Sequence, residues 1–150
     1  MTLQAILAYI HYLSIITLIV TLVVELVVFE KVLSIKEMKK LQRADSLYGL
    51  AAIMVLTTGT LRIMWYGNGW LYYLNNYFFI TKLSLFLLVG LLSIYPTMAF
   101  LKWRKLPDDL ESFSYDDSTY KKLLGFIRLE VILVFLIPLF AAMMARGIGF

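Results

Sequence analysis

Six ionisable side chains lie in stretches that are otherwise apolar enough to enter a membrane, and these are His11, Glu25, Arg62, Lys82, Arg128 and Glu130. Such residues are expensive in lipid, so they face the protein interior and mark a functional site or an ion pair. The chain has one histidine and no cysteine. Thiolate metal sites and cysteine nucleophiles are therefore excluded, and chemistry that needs two histidines would require a second protomer.

Three of the four basic groups among them, His11, Arg62 and Lys82, are expected at one level of the membrane. His11 lies about 12 Å along the first apolar stretch, at about 1.5 Å per residue. Arg62 and Lys82 each lie about one turn from the end of a neighbouring stretch. Imidazole is a common axial ligand of haem iron, and cations suit its propionates. The sequence therefore predicts a haem b site with His11 as the metal ligand and Arg62, Lys82 and Arg146 as further cofactor-binding residues.

The same residues also fit a structural interpretation, which stays open at this point. A single histidine in a membrane helix can hydrogen-bond a neighbouring helix. Arginine and lysine near the end of a span can extend to lipid phosphates. On the other side of the membrane, Glu25 is the natural partner of Arg128, with Glu130 nearby, because an unpaired charge in hydrocarbon is costly. We predict a structural ion pair among these three residues.

The elements that carry these residues are four apolar stretches, at about 3–29, 47–66, 78–101 and 123–145. Each reaches the roughly 20 residues that a helix needs to span a bilayer. The chain is 61% hydrophobic with a mean hydropathy of +0.82, whereas soluble domains are about 45–50% apolar. We predict a single all-α domain over residues 1–150, an integral membrane four-helix bundle. Asp45 with Ser46 is expected to cap the second helix.

Two features orient these helices. His11, Ser14, Thr21 and Glu25 recur at helical spacing, so one polar face of the first helix should point into the bundle. Basic residues flank the first and third connections, whereas the second, residues 67–76, is uncharged and aromatic. The positive-inside rule then places the first and third connections in the cytoplasm and both termini on the outer, periplasmic side. The net charge of +4 is small and gives no indication of nucleic-acid binding.

The chain closely resembles a family of uncharacterised bacterial membrane proteins that is classed only as a domain of unknown function. The segments that carry the resemblance are Ala44–Leu50, Lys82–Leu85, Ser93–Thr97 and Ala145–Gly149. It implies a multi-pass protein of the bacterial inner membrane.

A weaker resemblance extends to the HemJ-type protoporphyrinogen oxidases and the CopD-like copper-resistance membrane proteins. His11 stands where the HemJ type has an early histidine that ligates haem b. Tyr48 and Lys82 match two further short patterns, and Glu130 matches half of an Asn-Glu pair. The tryptophan and arginine that follow the histidine in that family are missing here. The resemblance implies haem b binding more than it implies oxidase activity.

Three functions are consistent with these observations, in this order. The first is a haem b-binding membrane protein that acts in redox reactions, electron transfer or haem handling. The second is a HemJ-like protoporphyrinogen IX oxidase that passes electrons to quinone. The third is a non-enzymatic membrane component or a copper-handling protein, although the seven methionines are more typical of core packing. A homo-oligomer is expected, in which a symmetric dimer would present two copies of His11 to one haem.

Overall fold

The structure is a computed structural model that describes residues 2–67, 69–106 and 111–149. Its elements in chain order are α1 (Thr2–Val28), β1 (Val32–Ser34), α2 (Ile35–Tyr66), α3 (Trp70–Leu74), α4 (Tyr77–Lys102), a 3-10 turn (Trp103–Lys105), β2 (Ser112–Ser114) and α5 (Asp117–Ala145). The four long helices, α1, α2, α4 and α5, are each long and apolar enough to cross a membrane. The four-helix membrane fold is therefore confirmed.

Helix α2 begins at Ile35, well before the predicted start near residue 47. Its N-cap is Ser34, which forms a capping box with Glu37. The Glu37 carboxylate accepts from the Ser34 backbone N–H at 2.7 Å, and the Ser34 hydroxyl accepts from the Glu37 N–H at 3.4 Å. The N-cap predicted at Asp45 is wrong, because that residue lies inside the helix and is buried.

The first turns of α2 are amphipathic, which explains why hydropathy alone placed them in a loop. Met38, Leu41 and Ala44 recur every three residues and are buried. The lysines and the arginine between them are exposed. Most of the basic residues assigned to the first connection therefore lie on the outer face of a helix.

A two-stranded antiparallel sheet ties the first and third connections together. Leu33 of β1 pairs with Phe113 of β2, and Leu33 is completely buried. Beside the sheet, Lys31 Nζ lies 2.6 Å from a carboxylate oxygen of Asp117. Both connections therefore lie at one end of the bundle, which we call the sheet end.

The opposite end, which we call the second-loop end, carries α3, the start of α1 and the end of α5. Asn76 is fully buried there. Its side-chain oxygen caps α4 by accepting from the N–H groups of Phe78 and Phe79, at 3.0 and 3.2 Å. Its Nδ2 donates to the Ile148 carbonyl at 3.0 Å. One amide thus joins the start of α4 to the C-terminal segment.

The bundle interior has two apolar clusters stacked along the helix axes. The sheet-end cluster consists of Phe29, Leu33, Met38, Leu41, Phe100, Trp103, Leu123 and Ile127. The central cluster consists of Leu18, Leu22, Tyr48, Ala51, Val89 and Val134. Many large apolar side chains on the outer faces of the helices are exposed, which suits contact with lipid.

Candidate functional site

A cavity of about 470 Å³ opens between the helices at the second-loop end, next to the central cluster. Its volume lies within the range of roughly 300–1,000 Å³ that is typical of small-molecule sites. All four long helices and α3 contribute to its lining. Much of the wall is apolar, for example Ile15, Leu18, Phe86 and Ile137. His11, Arg62 and Lys82 supply positive or basic groups to the same cavity.

The His11 imidazole forms a hydrogen bond across to α2, and the partners of that bond assign its tautomer. His11 Nδ1 lies 2.8 Å from the hydroxyl oxygen of Thr58. The single Thr58 hydroxyl proton is donated back to the Met54 carbonyl at 2.6 Å. Thr58 can therefore only accept from the ring, so we assign the proton to Nδ1. The other ring nitrogen, Nε2, then carries a free lone pair and is the atom available to a metal.

Close packing against a glycine sets the position of the ring. A Cβ atom built on Gly59 would lie 3.3 Å from His11 Cε1. That separation is tighter than ordinary van der Waals contact, so any larger residue at position 59 would press on the ring. Because residue 59 is glycine, the imidazole can pack closely against the α2 backbone at the position next to its hydrogen-bond partner Thr58.

The two cations of the cavity contact aromatic rings, and neither forms an ion pair with a carboxylate among the described residues. The guanidinium carbon of Arg62 lies 5.4 Å from the ring centroid of Tyr12, and Lys82 Nζ lies 5.0 Å from that of Phe79. Both cations act electrostatically on His11. The described residues that line the cavity include no aspartate or glutamate. An anion held in this cavity would therefore meet two positive charges that no described side chain of the lining neutralises.

The structure brings three of the four predicted cofactor-binding residues together. His11, Arg62 and Lys82 line one cavity, from α1, α2 and α4. Arg146 is exposed at the C-terminal end of α5 and is not part of the lining. The residue that the sequence did not reveal is Thr58, which is 4% exposed inside a long apolar helix. The adjacent threonine and glycine at positions 58 and 59 were the sequence signal that could have identified this contact.

The predicted ion pair of Glu25 with Arg128 is not formed. Glu25 and Glu130 are buried, whereas Arg128 is exposed on the outer face of α5. Residues 128 and 130 are two positions apart, which places their side chains on nearly opposite sides of a helix. Among the described residues, the oppositely charged side chains that lie within 4.0 Å of each other are Lys31 and Asp117, at the sheet end.

Comparison with known proteins identifies a family for this chain but no matching curated protein or solved structure. The resemblance to HemJ-type and CopD-like proteins therefore stays a hypothesis. One family model, described as "Predicted membrane protein (DUF2214)", matches residues 3–149. Because that match covers nearly the whole chain, the protein belongs to the DUF2214 family of membrane proteins.

Proposed function

We propose that this membrane protein binds haem b in the cavity at the second-loop end, with His11 as the axial ligand of the iron. The observation that carries the proposal is the hydrogen bond between His11 Nδ1 and Thr58, which assigns the free lone pair to Nε2, beside two cations that have no carboxylate partner among the described residues. Bound haem would supply one-electron chemistry. The contribution of the chain is to bind the macrocycle, to orient one ligand and to keep water away.

Thr58 supports this proposal because it gives His11 the arrangement that metal-ligating histidines commonly have. Such histidines donate the second ring N–H to an acceptor, which fixes the tautomer and makes the ligating nitrogen more basic. Here Nδ1 donates to Thr58 at 2.8 Å. The ring needs no rotation or proton transfer before Nε2 binds a metal.

The cavity lining supports a ligand that is both apolar and anionic. Its walls are largely aliphatic and aromatic, whereas Arg62 and Lys82 are positive and partly buried. A porphyrin has two apolar faces and two carboxylates at one edge. In this proposal the two cations pair with the propionates and the apolar wall packs against the macrocycle.

The proposal locates the protein in the bacterial inner membrane with its sheet end in the cytoplasm, because the basic residues concentrate there. The cavity then lies on the periplasmic side, where a quinone or a second copy of the chain could exchange electrons with it. Copper handling is not favoured by the titratable side chains, because the described residues contain no group of three or more histidine, cysteine, aspartate or glutamate side chains that could hold a metal ion. We therefore propose a role in redox chemistry, electron transfer or haem handling.

Absorption spectroscopy on the purified protein tests the proposal. The wild type should show a b-type reduced-minus-oxidised spectrum, as isolated or after addition of haemin, and His11→Ala should lose or shift it. Arg62→Gln and Lys82→Gln should each weaken haemin binding by about tenfold, the value of one charge-assisted hydrogen bond. Lys36→Gln, on the exposed face at the sheet end, is the matched control and should bind normally.

Titration with iron-free protoporphyrin IX separates the role of His11 from that of the cations. We expect His11→Ala to weaken the binding of haemin and to leave that of protoporphyrin IX unchanged, whereas Arg62→Gln should weaken both. A wild type that retains no Soret absorption after haemin is added and the unbound haemin is removed by gel filtration would overturn the proposal. Equal binding of haemin by the wild type and His11→Ala would remove His11 as ligand and leave a site for an amphipathic anion.

A further inference from the structure

Three buried carboxyl groups form a polar layer between the two apolar clusters. Glu25 of α1, Asp45 of α2 and Glu130 of α5 are 2%, 9% and 1% exposed. Along the chain each carboxyl residue lies between a residue of one cluster and a residue of the other, as Glu130 of α5 does between Ile127 and Val134. The layer is therefore sealed by apolar side chains towards both ends of the bundle.

Two of these carboxyl groups have an oxygen without a hydrogen-bond partner. Oε1 of Glu25 and Oε1 of Glu130 are both buried and unpaired in the described structure. Asp45 differs, because it accepts a short hydrogen bond from the Thr97 hydroxyl of α4. Arg128, the cation nearest in sequence to Glu130, is exposed on the outer face of α5. The two glutamates are thus the members of the layer that lack a partner.

The groups that face these glutamates do not favour negative charge. Glu25 interacts electrostatically with Asp45 and Glu130, and all three act on the buried Tyr48 hydroxyl of α2. Helix α4 contributes the neutral hydroxyls of Ser93 and Thr97. The cation that acts on the layer is Arg104, and it acts on Asp45.

Elementary electrostatics then decides the protonation of the pair. An isolated carboxylate in an apolar interior is so costly that the group neutralises instead of remaining charged. Neighbouring carboxylates raise that cost, and carboxyl groups that share a site hold a proton between them for this reason. A protonated carboxyl also gains an O–H donor. In the described part of the structure, neither unpaired oxygen forms an ion pair with a cation.

We propose that Glu25 and Glu130 form a proton-binding site inside the bundle, at which at least one of the two carboxyl groups carries a proton at neutral pH. The ligand of this site is the proton itself. Neither glutamate lines the cavity, and residues of the central cluster separate both from it. The nearest lining residues along the helices are Leu18, seven residues or about 10 Å from Glu25, and Val134, four residues or about 6 Å from Glu130. The proposal therefore stands whether or not the cavity binds haem.

Labelling with dicyclohexylcarbodiimide tests the site directly. This apolar reagent partitions into membranes and reacts with protonated carboxyl groups. The carboxyl oxygen attacks the central carbon while the carboxyl proton moves to nitrogen, and acyl migration leaves a stable N-acylurea. At neutral pH we expect intact-mass analysis of the wild-type protein to show the adduct and peptide mapping to locate it on Glu25 or Glu130. Labelling should fall as the pH is raised and the proton is lost.

Glutamine variants identify the residues. Glu25→Gln and Glu130→Gln should each reduce labelling, and the double variant should abolish it. Glu30→Gln is the matched control, since Glu30 is exposed just beyond the end of α1, and it should leave labelling unchanged. If a variant does not fold, the peptide map and pH profile of the wild type still decide, because they need no substitution.

Infrared spectroscopy covers the case in which the reagent cannot reach the site. A protonated buried carboxyl gives a carbonyl stretching band that carboxylates lack. The proposal is overturned if the wild type at neutral pH shows neither this band nor labelling of the two glutamates. It is also overturned if sodium ions at constant pH protect the glutamates from labelling, since the site would then bind a metal cation in place of the proton.

Discussion

Replacement of Thr58 by valine separates the ligand role of His11 from a purely structural role. Valine has nearly the shape of threonine but cannot accept a hydrogen bond. The substitution therefore removes the acceptor that lies 2.8 Å from His11 Nδ1 and leaves the cavity volume unchanged. The ring loses its tautomeric preference, so Nε2 carries the lone pair in only part of the population.

The size of the effect follows from the geometry. Loss of the acceptor behind a metal-ligating histidine typically reduces metal affinity by about 10- to 100-fold. At 1.4 kcal/mol per factor of ten, this corresponds to about 1.4–2.8 kcal/mol in the free energy of haemin binding. The buried Nδ1–H left without a partner should also cost about 1–3 kcal/mol of stability.

The assay is a haemin titration followed by Soret absorption, together with unfolding of the same samples in sodium dodecyl sulfate mixed micelles. Thr57→Val is the matched control, because Thr57 is the adjacent residue and its exposed hydroxyl bonds only to the Ile53 carbonyl of its own helix. Thr58→Ser keeps the acceptor and should bind haemin nearly as tightly as the wild type. Protoporphyrin IX without iron should bind equally well to all four proteins.

One result would refute this reasoning. If Thr58→Val folds and binds haemin as tightly as the wild type, the hydrogen bond to Nδ1 does not prepare Nε2 for the iron. If Thr57→Val weakens haemin binding as much as Thr58→Val does, the effect comes from the helix backbone.

Three further predictions concern parts of the fold that position these sites. Ser34→Ala removes the capping box of α2 and should lower the free energy of unfolding by about 1 kcal/mol, measured in mixed micelles. Gly59→Ala should press on His11 and weaken haemin binding, whereas Gly49→Ala, whose Cβ meets nothing within 4 Å, should leave haemin binding unchanged. The Asp116 carboxylate accepts a backbone N–H from the first turn of α5, which holds its pKa below the usual value. The stabilisation from this hydrogen bond is fully present above the pKa of Asp116 in the unfolded chain, about 3.9. It is lost as the pH falls through the lower pKa that Asp116 has in the folded protein. Asp116→Asn keeps a good cap and should lose less stability than the wild type in an acid titration followed by circular dichroism, with no difference near pH 7.

The sequence by itself determined the membrane fold, the polar face of α1 and the common level of three basic residues. A spanning helix satisfies its backbone hydrogen bonds within one segment, so length and hydropathy reveal it without knowledge of its neighbours. The periodicity of α1 placed Ser14, Thr21 and Glu25 on one inward face, and all three are buried. Because successive helices cross the membrane in opposite directions, the sequence also predicted that His11, Arg62 and Lys82 lie at the same depth in the membrane. In the structure all three line one cavity.

Other features depended on the tertiary structure because they arise from contacts between distant segments. Residues 32–34 and 112–114 pair as strands across nearly 80 residues of chain, and no local pattern predicts that pairing. The sequence did not reveal the start of α2, because the average hydropathy of its lysine-rich first turns is low and predicts a loop. Met38 and Leu41 in these turns are nevertheless buried.

The rotation of α2 and α5 about their own axes was the last quantity that the sequence left open. Charge complementarity suggested that Glu25 should meet Arg128, but packing of α5 turns Arg128 outward and Glu130 inward. The same packing brings Thr58 of α2 against His11 of α1. A rotation by one residue is about 100°, so the side-chain packing of neighbouring helices, which only the folded bundle defines, decides which groups become partners.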